Sequence, residues 1–155
     1  MLLFGELKAG STAHMLTWGS HKSHRPVKSA ASAETFAAAQ AIDEGKVLKI
    51  AMEDIWNISV QFILVVDSKD LFDSMTSCRN ATDRAIRGDI SVIRFEFETR
   101  AVNKVLWIPG SCNLSDPLTK INSPLTEPLH VLMDSGKIPL TPVKTANRDA
   151  EMPTG

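Results

Sequence analysis

The stretch VQFILVVD, from Val60 to Asp67, limits the possible folds of this 155-residue chain more than any other part of it. A short continuous apolar run that ends in an acid is typical of a strand buried on both faces. Such strands belong to sheets that helices cover on both sides. The stretch therefore predicts an α/β protein in which Val60–Asp67 is a central strand.

The other predicted elements agree with this class. Two strands around a small-residue turn form a hairpin at the start. Small and apolar residues then recur at helical spacing, which predicts one long helix. The order ββ-α-β-α-α-β-α is that of a layered α/β domain over residues 1–140, followed by a polar, disordered tail at 141–155. The remaining predicted strands are Met1–Leu7, His14–Trp18 and Lys104–Gly110, and the predicted helices are Ser29–Trp56, Ser68–Ser77, Asp83–Arg100 and about Leu125–Asp134.

Charge and cysteine content exclude some classes of protein. A net charge of −1 gives no overall basic field that would indicate a nucleic-acid partner. Cys78 and Cys112 have neither metal-ligand spacing nor a disulfide framework, which indicates a reducing, intracellular setting, cytoplasmic or nuclear. No apolar run reaches the length of a membrane span, so we expect no membrane partner. The one local concentration of positive charge, here called the basic cluster, consists of His21, Lys22, His24, Arg25 and Lys28.

Three carboxylates stand where an α/β fold places functional groups. Asp67 ends the central strand, and Glu34 lies near the start of the long helix. Asp116 follows the last predicted strand after a short loop. Sites in α/β sheets gather beyond the carboxyl ends of strands, and hard divalent cations take oxygen ligands from several segments. Each acid also has a structural interpretation: Asp67 as a helix cap, Asp116 as a turn acid and Glu34 as a first-turn acid favoured by the helix dipole.

Four motifs occur in an order that has a known counterpart. A strand ending in Leu-Thr-Trp and a basic stretch precede Ser-x-x-x-Ala-Glu, which ends at Glu34. A strand ending in Asp67 follows, then a Trp-x-Pro strand and the motif Leu-Ser-Asp-Pro-Leu-Thr-Lys, which ends at Lys120. The chain thereby resembles the ribonuclease H domain of copia-type retrotransposon Pol polyproteins, and the matching stretches are Met15–Ala41, Ile63–Met75, Arg84–Glu98 and Val105–Lys120.

The resemblance implies a fold, an activity and partners. The fold is ribonuclease H-like, with a mixed five-stranded central sheet and helices on both faces. The activity is hydrolysis of the RNA strand of RNA–DNA hybrids with Mg²⁺ or Mn²⁺. Glu34 is the implied helix carboxylate, Asp67 bridges metal and scissile phosphate, and Asp116 holds the second metal. The implied partners are the hybrid, which the basic cluster contacts unless it is a solvated loop, and a reverse transcriptase domain of the same polyprotein.

One part of the family pattern has no counterpart in these 155 residues. The family opens with a central strand that carries the first catalytic aspartate, ahead of the hairpin strand matched here by Met1–Leu7. The early acid Glu6 lies on the hairpin strand and does not take that role. We therefore expect weak or no cleavage by this chain, whether it is a fragment, a decayed copy or a reused segment. A non-catalytic nucleic-acid-binding or protein-binding module on the same fold is the alternative, and an unrelated small α/β domain with coincidental acids is a third interpretation.

Other side chains that suggest function have structural interpretations. Trp18 and Trp107 end predicted strands, where packing in the core is favoured over stacking on bases. Asp70, Asp73 and Asp89 are expected to be solvated acids on helix surfaces.

Overall fold

The computed structural model describes residues 1–5, 10–19, 29–77 and 86–139. Within these residues the protein has four α-helices and four strands, and the strands form two two-stranded sheets. The mixed α/β class predicted from the sequence is therefore confirmed. No helix in the described part of the chain is long and apolar enough to cross a membrane. The basic cluster, Glu6, Cys78 and the tail at 141–155 lie outside the described residues.

The chain divides into two compact units. The first unit takes its described residues from Met1–Lys22 and Ile108–Thr145, and the second takes them from Ser23–Trp107. Each unit contains one of the two sheets and has its own apolar cluster.

The first unit is built on a hairpin. Strands β1 (Leu2–Gly5) and β2 (Ala13–Thr17) pair antiparallel, as the sequence predicts. Helix α4 (Thr126–Ser135) lies against β2. The side chain of Trp18 is 54% exposed, so the prediction that it packs in the core is wrong. It lies beyond Thr17, the last residue of β2 that pairs with β1.

The second unit is built on a parallel pair of strands. Strand β3 aligns residue by residue with β4, from Ile63 opposite Lys104 to Val66 opposite Trp107. The core cluster of this unit buries the β3 side chains that point towards the helices, Leu64 and Val66. The elements are α1 (Ala30–Trp56), β3 (Ile63–Val66), α2 (Lys69–Thr76), α3 (Arg87–Glu98) and β4 (Lys104–Trp107).

The stretch Val60–Asp67 does form a strand, but its surroundings differ from the prediction. The strand is shorter than predicted, and within the described residues it pairs with β4 alone. Val65 remains 36% exposed, so the expected burial on both faces is wrong for that position. The reason is that the side chains of β3 alternate between two faces, and the buried ones, Leu64 and Val66, lie on the same face.

Helix α1 begins and extends as predicted. The Oγ of Ser29 accepts a hydrogen bond from the backbone N–H of Ser32, which caps the helix. The side that is buried was not evident from the sequence, because small and apolar residues occur all around the helix. Val47 and Ile55, part of the spacing that predicts the helix, are exposed. The buried residues are Thr35, Ala38, Ile42, Gly45 and Met52.

Gly45 provides a test of the packing of α1. A Cβ atom at Gly45 would lie 2.2 Å from Cζ of Phe62, whereas one at Gly88 in α3 would meet nothing within 4 Å. We expect Gly45→Ala to lower the free energy of unfolding by about 1 kcal/mol, because displacing the Phe62 ring outweighs the gain of roughly 1 kcal/mol in helix propensity. Gly88→Ala should raise it by up to about 1 kcal/mol. Urea unfolding of both variants checks the pair, and equal stabilisation by both would contradict the contact.

Arg94 of α3 joins this helix to α2, and both helices lie between β3 and β4 in the chain. Its Nη2 donates hydrogen bonds to the carbonyl oxygens of Ser74 and Ser77, at 2.6 and 2.7 Å. These are carbonyls at the C-terminal end of α2, where helix geometry leaves acceptors without an intrahelical donor. On the opposite side of α3, Lys46 of α1 forms an ion pair of 2.8 Å with Glu96. Helix α3 therefore fixes both α1 and α2, the two helices that carry or follow the candidate acids of this unit.

Candidate metal centre

Asp67 lies at the carboxyl end of the parallel pair. It is the first residue after β3, and β3 and β4 end level with each other at Val66 and Trp107. Its side chain is exposed. The cap of α2 is Ser68, whose Oγ accepts a hydrogen bond from the backbone N–H of Leu71. The interpretation of Asp67 as the helix cap is therefore wrong, and its carboxylate is exposed at the strand end.

Glu34 lies one turn inside helix α1. It is the fifth residue of the helix, and the first turn contains no acidic residue. The interpretation of Glu34 as a first-turn acid is therefore wrong. Its side chain is exposed, although it lies on the same stripe of the helix as the buried residues Ala38, Ile42 and Gly45. Glu34 thus lies on the same side of α1 as these buried residues, one turn before Ala38, but outside the core.

The contact between Gly45 and Phe62 places Gly45 near the amino end of β3. Phe62 lies at the amino end of β3, and the stripe residues between Gly45 and Glu34 belong to the same core as β3. Gly45 and Glu34 are separated by about 16 Å of helix at 1.5 Å per residue. Phe62 and Asp67 are separated by about 16 Å of strand at 3.3 Å per residue. We infer that Glu34 comes to the carboxyl end of β3, the end at which Asp67 lies.

Asp116 belongs to the first unit, where a short 3₁₀ helix, Asp116–Leu118, follows the loop after β4. Its Oδ1 pairs with Nζ of Lys120 at 2.5 Å, and its Oδ2 accepts a hydrogen bond from Oγ of Ser123 at 3.0 Å. The same Ser123 Oγ accepts the backbone N–H of Leu125, next to the start of α4. These contacts agree with the interpretation of Asp116 as a structural acid in a turn.

The surroundings of Asp116 change its acidity. The hydrogen bond from Lys120 lowers the pKa of Asp116 below its ordinary value of 3.8, while desolvation of the carboxylate opposes the shift. The hydrogen bond from Ser123 and the positive charge of Lys120 lower the pKa further. The carboxylate therefore stays ionised at all but strongly acid pH, and the folded state favours the ionised form.

This shift predicts how the stability of the protein depends on pH. Because the folded-state pKa of Asp116 is depressed, its contribution is present above pH 3.8 and is lost as the pH falls through the lowered value. We expect Asp116→Asn to lower the melting temperature at pH 7 and the difference from the unmodified chain to shrink below pH 3.8. Thermal melts at a series of pH values check this, with Asp134→Asn, an exposed acid on α4, as the control. A difference that grows on acidification would contradict the ion pair.

The acids differ in how well they suit a divalent metal. Among the residues that the structure describes, no group of three or more His, Cys, Asp or Glu side chains could hold a metal ion. The exposed carboxylates of Glu34 and Asp67 are hard oxygen donors, which fit Mg²⁺ and Mn²⁺, and Mg²⁺ keeps several waters and needs few protein ligands. Asp116 fits less well, because a metal would have to displace Lys120.

The sequence did not indicate the hydrogen bonds that two side chains, Trp107 and Arg94, make near the candidate acids. Trp107 packs against the core, as predicted, but its Nε1 also donates a hydrogen bond of 3.0 Å to the main-chain carbonyl oxygen of Asp67. The signal in the sequence was an aspartate at the end of one strand and a tryptophan at the end of the next. Arg94 reaches α2 across many intervening residues, and no sequence pattern marks that contact.

Comparison of the chain with models of known protein families, with curated proteins and with solved structures gives no match. The class of this protein is therefore described from its own fold and site. It is a mixed α/β protein with an exposed acid, Asp67, at the carboxyl end of a parallel pair of strands.

Proposed function

We propose that this chain is a ribonuclease H-like domain of retrotransposon origin, whose chemistry is metal-dependent hydrolysis of RNA in RNA–DNA hybrids. The observation that carries the proposal is the position of Asp67 at the carboxyl end of β3, with Glu34 on the stripe of α1 that leads to the same end. A strand-end aspartate beside a helix-borne glutamate is the pair of ligands that the family resemblance implies.

The strand pairings support the same fold. A ribonuclease H-like sheet is mixed, and its antiparallel hairpin and its parallel pair flank a central strand that carries the first aspartate. The described residues contain an antiparallel hairpin, β1 with β2, and a parallel pair, β3 with β4. Their order along the chain, with α1 between the two pairs, also agrees with the family pattern.

The residues of the chain have distinct roles in the proposed reaction. In a complete site, a pair of Mg²⁺ or Mn²⁺ ions would supply activation of a water molecule and stabilisation of the leaving oxygen. Asp67 and Glu34 would hold one of these ions through carboxylate oxygens, and both side chains are exposed, as binding of a large polyanionic substrate requires. The basic cluster binds phosphates of the hybrid, and a reverse transcriptase domain of the same polyprotein supplies that substrate. Residues 1–155 by themselves contain no counterpart of the first-strand aspartate, so we expect weak or no cleavage when these residues are assayed alone.

The contacts of Asp116 favour a second candidate function. Lys120 and Ser123 contact its two carboxylate oxygens, so Asp116 has a structural role in the described conformation. The family resemblance would instead make Asp116 the third metal ligand. A chain that retains the fold but has lost part of the ligand set would serve as a non-catalytic module that binds nucleic acid or protein.

Binding of Mn²⁺ tests the proposal and separates the two functions. Isothermal titration should give one binding event, and Asp67→Asn should weaken it by at least about tenfold, because a primary oxygen ligand is lost. Asp70→Asn is the matched control, since Asp70 is an exposed acid in the first turn of α2. Binding that does not depend on Asp67 would contradict the nuclease and favour the non-catalytic module.

A further inference from the structure

Trp107 connects the two strand ends at the candidate metal centre. It is the last residue of β4 and lies opposite Val66, the last residue of β3. Its indole Nε1 donates a hydrogen bond of 3.0 Å to the main-chain carbonyl oxygen of Asp67. Because the donor is a side chain, this hydrogen bond depends on which residue occupies position 107. A replaceable side chain therefore contributes to holding the main chain of a proposed metal ligand against the neighbouring strand.

The indole ring that makes this hydrogen bond is itself held in place. Trp107 is partly buried and packs against the core cluster that contains Leu64 and Val66. A packed ring with two side-chain torsions has few alternative positions. On the other side of Asp67, Ser68 begins α2 by accepting the backbone N–H of Leu71. The main chain at Asp67 is thus fixed by an indole at its carbonyl and by a helix cap at the next residue.

We propose that Trp107 is a positioning residue for the metal centre, which acts by fixing the main chain of Asp67 so that the carboxylate leaves the strand end in one direction. This inference rests on the proposed function, because it requires that Asp67 bind a divalent ion. Hydrogen bonds that orient metal ligands typically contribute about 10–100-fold to metal affinity. Trp107→Phe removes the donor and keeps an aromatic ring at this position, but the smaller ring also loses part of the packing against the core.

The experiment is a titration with Mn²⁺ followed through the indole ¹H–¹⁵N signals of the protein. The chain has three tryptophans, and Trp107→Phe identifies the signal of interest. We expect paramagnetic broadening of the Trp107 signal at lower Mn²⁺ concentration than for the other two tryptophans. We also expect Trp107→Phe to weaken Mn²⁺ binding about tenfold with an unchanged circular dichroism spectrum. The matched control is Trp56→Phe, because Trp56 is half-exposed at the end of α1, and it should bind as the unmodified chain does.

The outcomes separate this inference from the proposed function. Equal Mn²⁺ affinity in Trp107→Phe and in the unmodified chain would overturn the positioning role and leave the metal centre at Asp67 intact. Absence of any Asp67-dependent Mn²⁺ binding would overturn both. If Trp107→Phe does not fold, benzothienylalanine at position 107 keeps the bicyclic shape and replaces the N–H with sulfur. The same loss of about tenfold is then expected, and unchanged affinity would overturn the inference.

Discussion

A chain extended ahead of Met1 by a strand that carries an aspartate is expected to cleave the RNA strand of an RNA–DNA hybrid at least about 100-fold faster than residues 1–155 alone. Two-metal hydrolysis needs both ions held about 3.5–4 Å apart by ligands that bridge them. A metal contributes several kcal/mol to the stabilisation of the transition state, and 1.36 kcal/mol corresponds to a factor of ten in rate. Glu34 and Asp67 alone suit one ion, which cannot stabilise both the attacking and the leaving oxygen.

The same extension should also stabilise the protein. Within the described residues β3 pairs with β4 alone, so its other edge presents backbone groups without a strand partner. The exposed side chain of Val65 lies on this strand and would gain cover from a larger sheet. We therefore expect a higher melting temperature together with the gain in cleavage.

Two controls separate the chemistry from the folding. The extended chain with asparagine in place of the added aspartate should show the gain in stability but not the gain in cleavage. Asp67→Asn in the extended chain should abolish cleavage in both Mg²⁺ and Mn²⁺. The assay is release of labelled fragments from the hybrid, and cleavage by residues 1–155 at the rate of the extended chain would contradict the prediction.

Ile93→Ala is expected to lower the free energy of unfolding by about 3–4 kcal/mol, the largest effect on stability that the structure suggests. Ile93 of α3 is 0% exposed and lies in the core cluster of the second unit. Truncating such a side chain loses its transfer free energy and leaves a cavity, at a total of about 2–5 kcal/mol. That is a large fraction of the 5–15 kcal/mol by which domains are typically stable.

The control for Ile93 is its neighbour in the sequence. Val92 is 56% exposed on the same helix, so Val92→Ala should change the free energy of unfolding by no more than about 0.5 kcal/mol. Urea denaturation followed by circular dichroism gives both values. If Ile93→Ala fails to fold, Ile93→Val should still lose about 1 kcal/mol. Similar losses for positions 92 and 93 would show that α3 is not packed as described.

The elements that the sequence predicted well are those set by local patterns. Ser29 and Ser68 begin helices because their hydroxyls accept backbone N–H groups three residues later. The apolar run before Asp67 marks a strand, which places that acid at a strand end. The buried side of α1 was not predictable, since small and apolar residues occur around the whole helix and only contacts such as that of Gly45 with Phe62 select a face.

The same distinction between local patterns and packing applies to the candidate site. The sequence indicated Glu34 and Asp67 as acids near the ends of elements, but the proposal that both lie at one end of β3 needs the packing of α1, which the sequence did not specify. The ion pair of Asp116 with Lys120 depends on the conformation of a short 3₁₀ helix, which no periodic pattern specifies. The hydrogen bond from Trp107 to Asp67 depends on the parallel register of β3 and β4, a contact between distant parts of the chain.

The central claim is that Glu34 and Asp67 hold the same divalent ion, and a double-mutant cycle on Mn²⁺ affinity tests it most directly. Glu34→Gln, Asp67→Asn and the double variant are titrated beside the unmodified chain. Ligands of one shared ion should each lose at least about tenfold alone, and the double variant should lose less than the product of the two single effects. If the fold-losses in Mn²⁺ affinity of the two single variants multiply to give the loss of the double variant, the two acids do not share an ion. An unchanged Mn²⁺ affinity in Glu34→Gln would also contradict a shared ion.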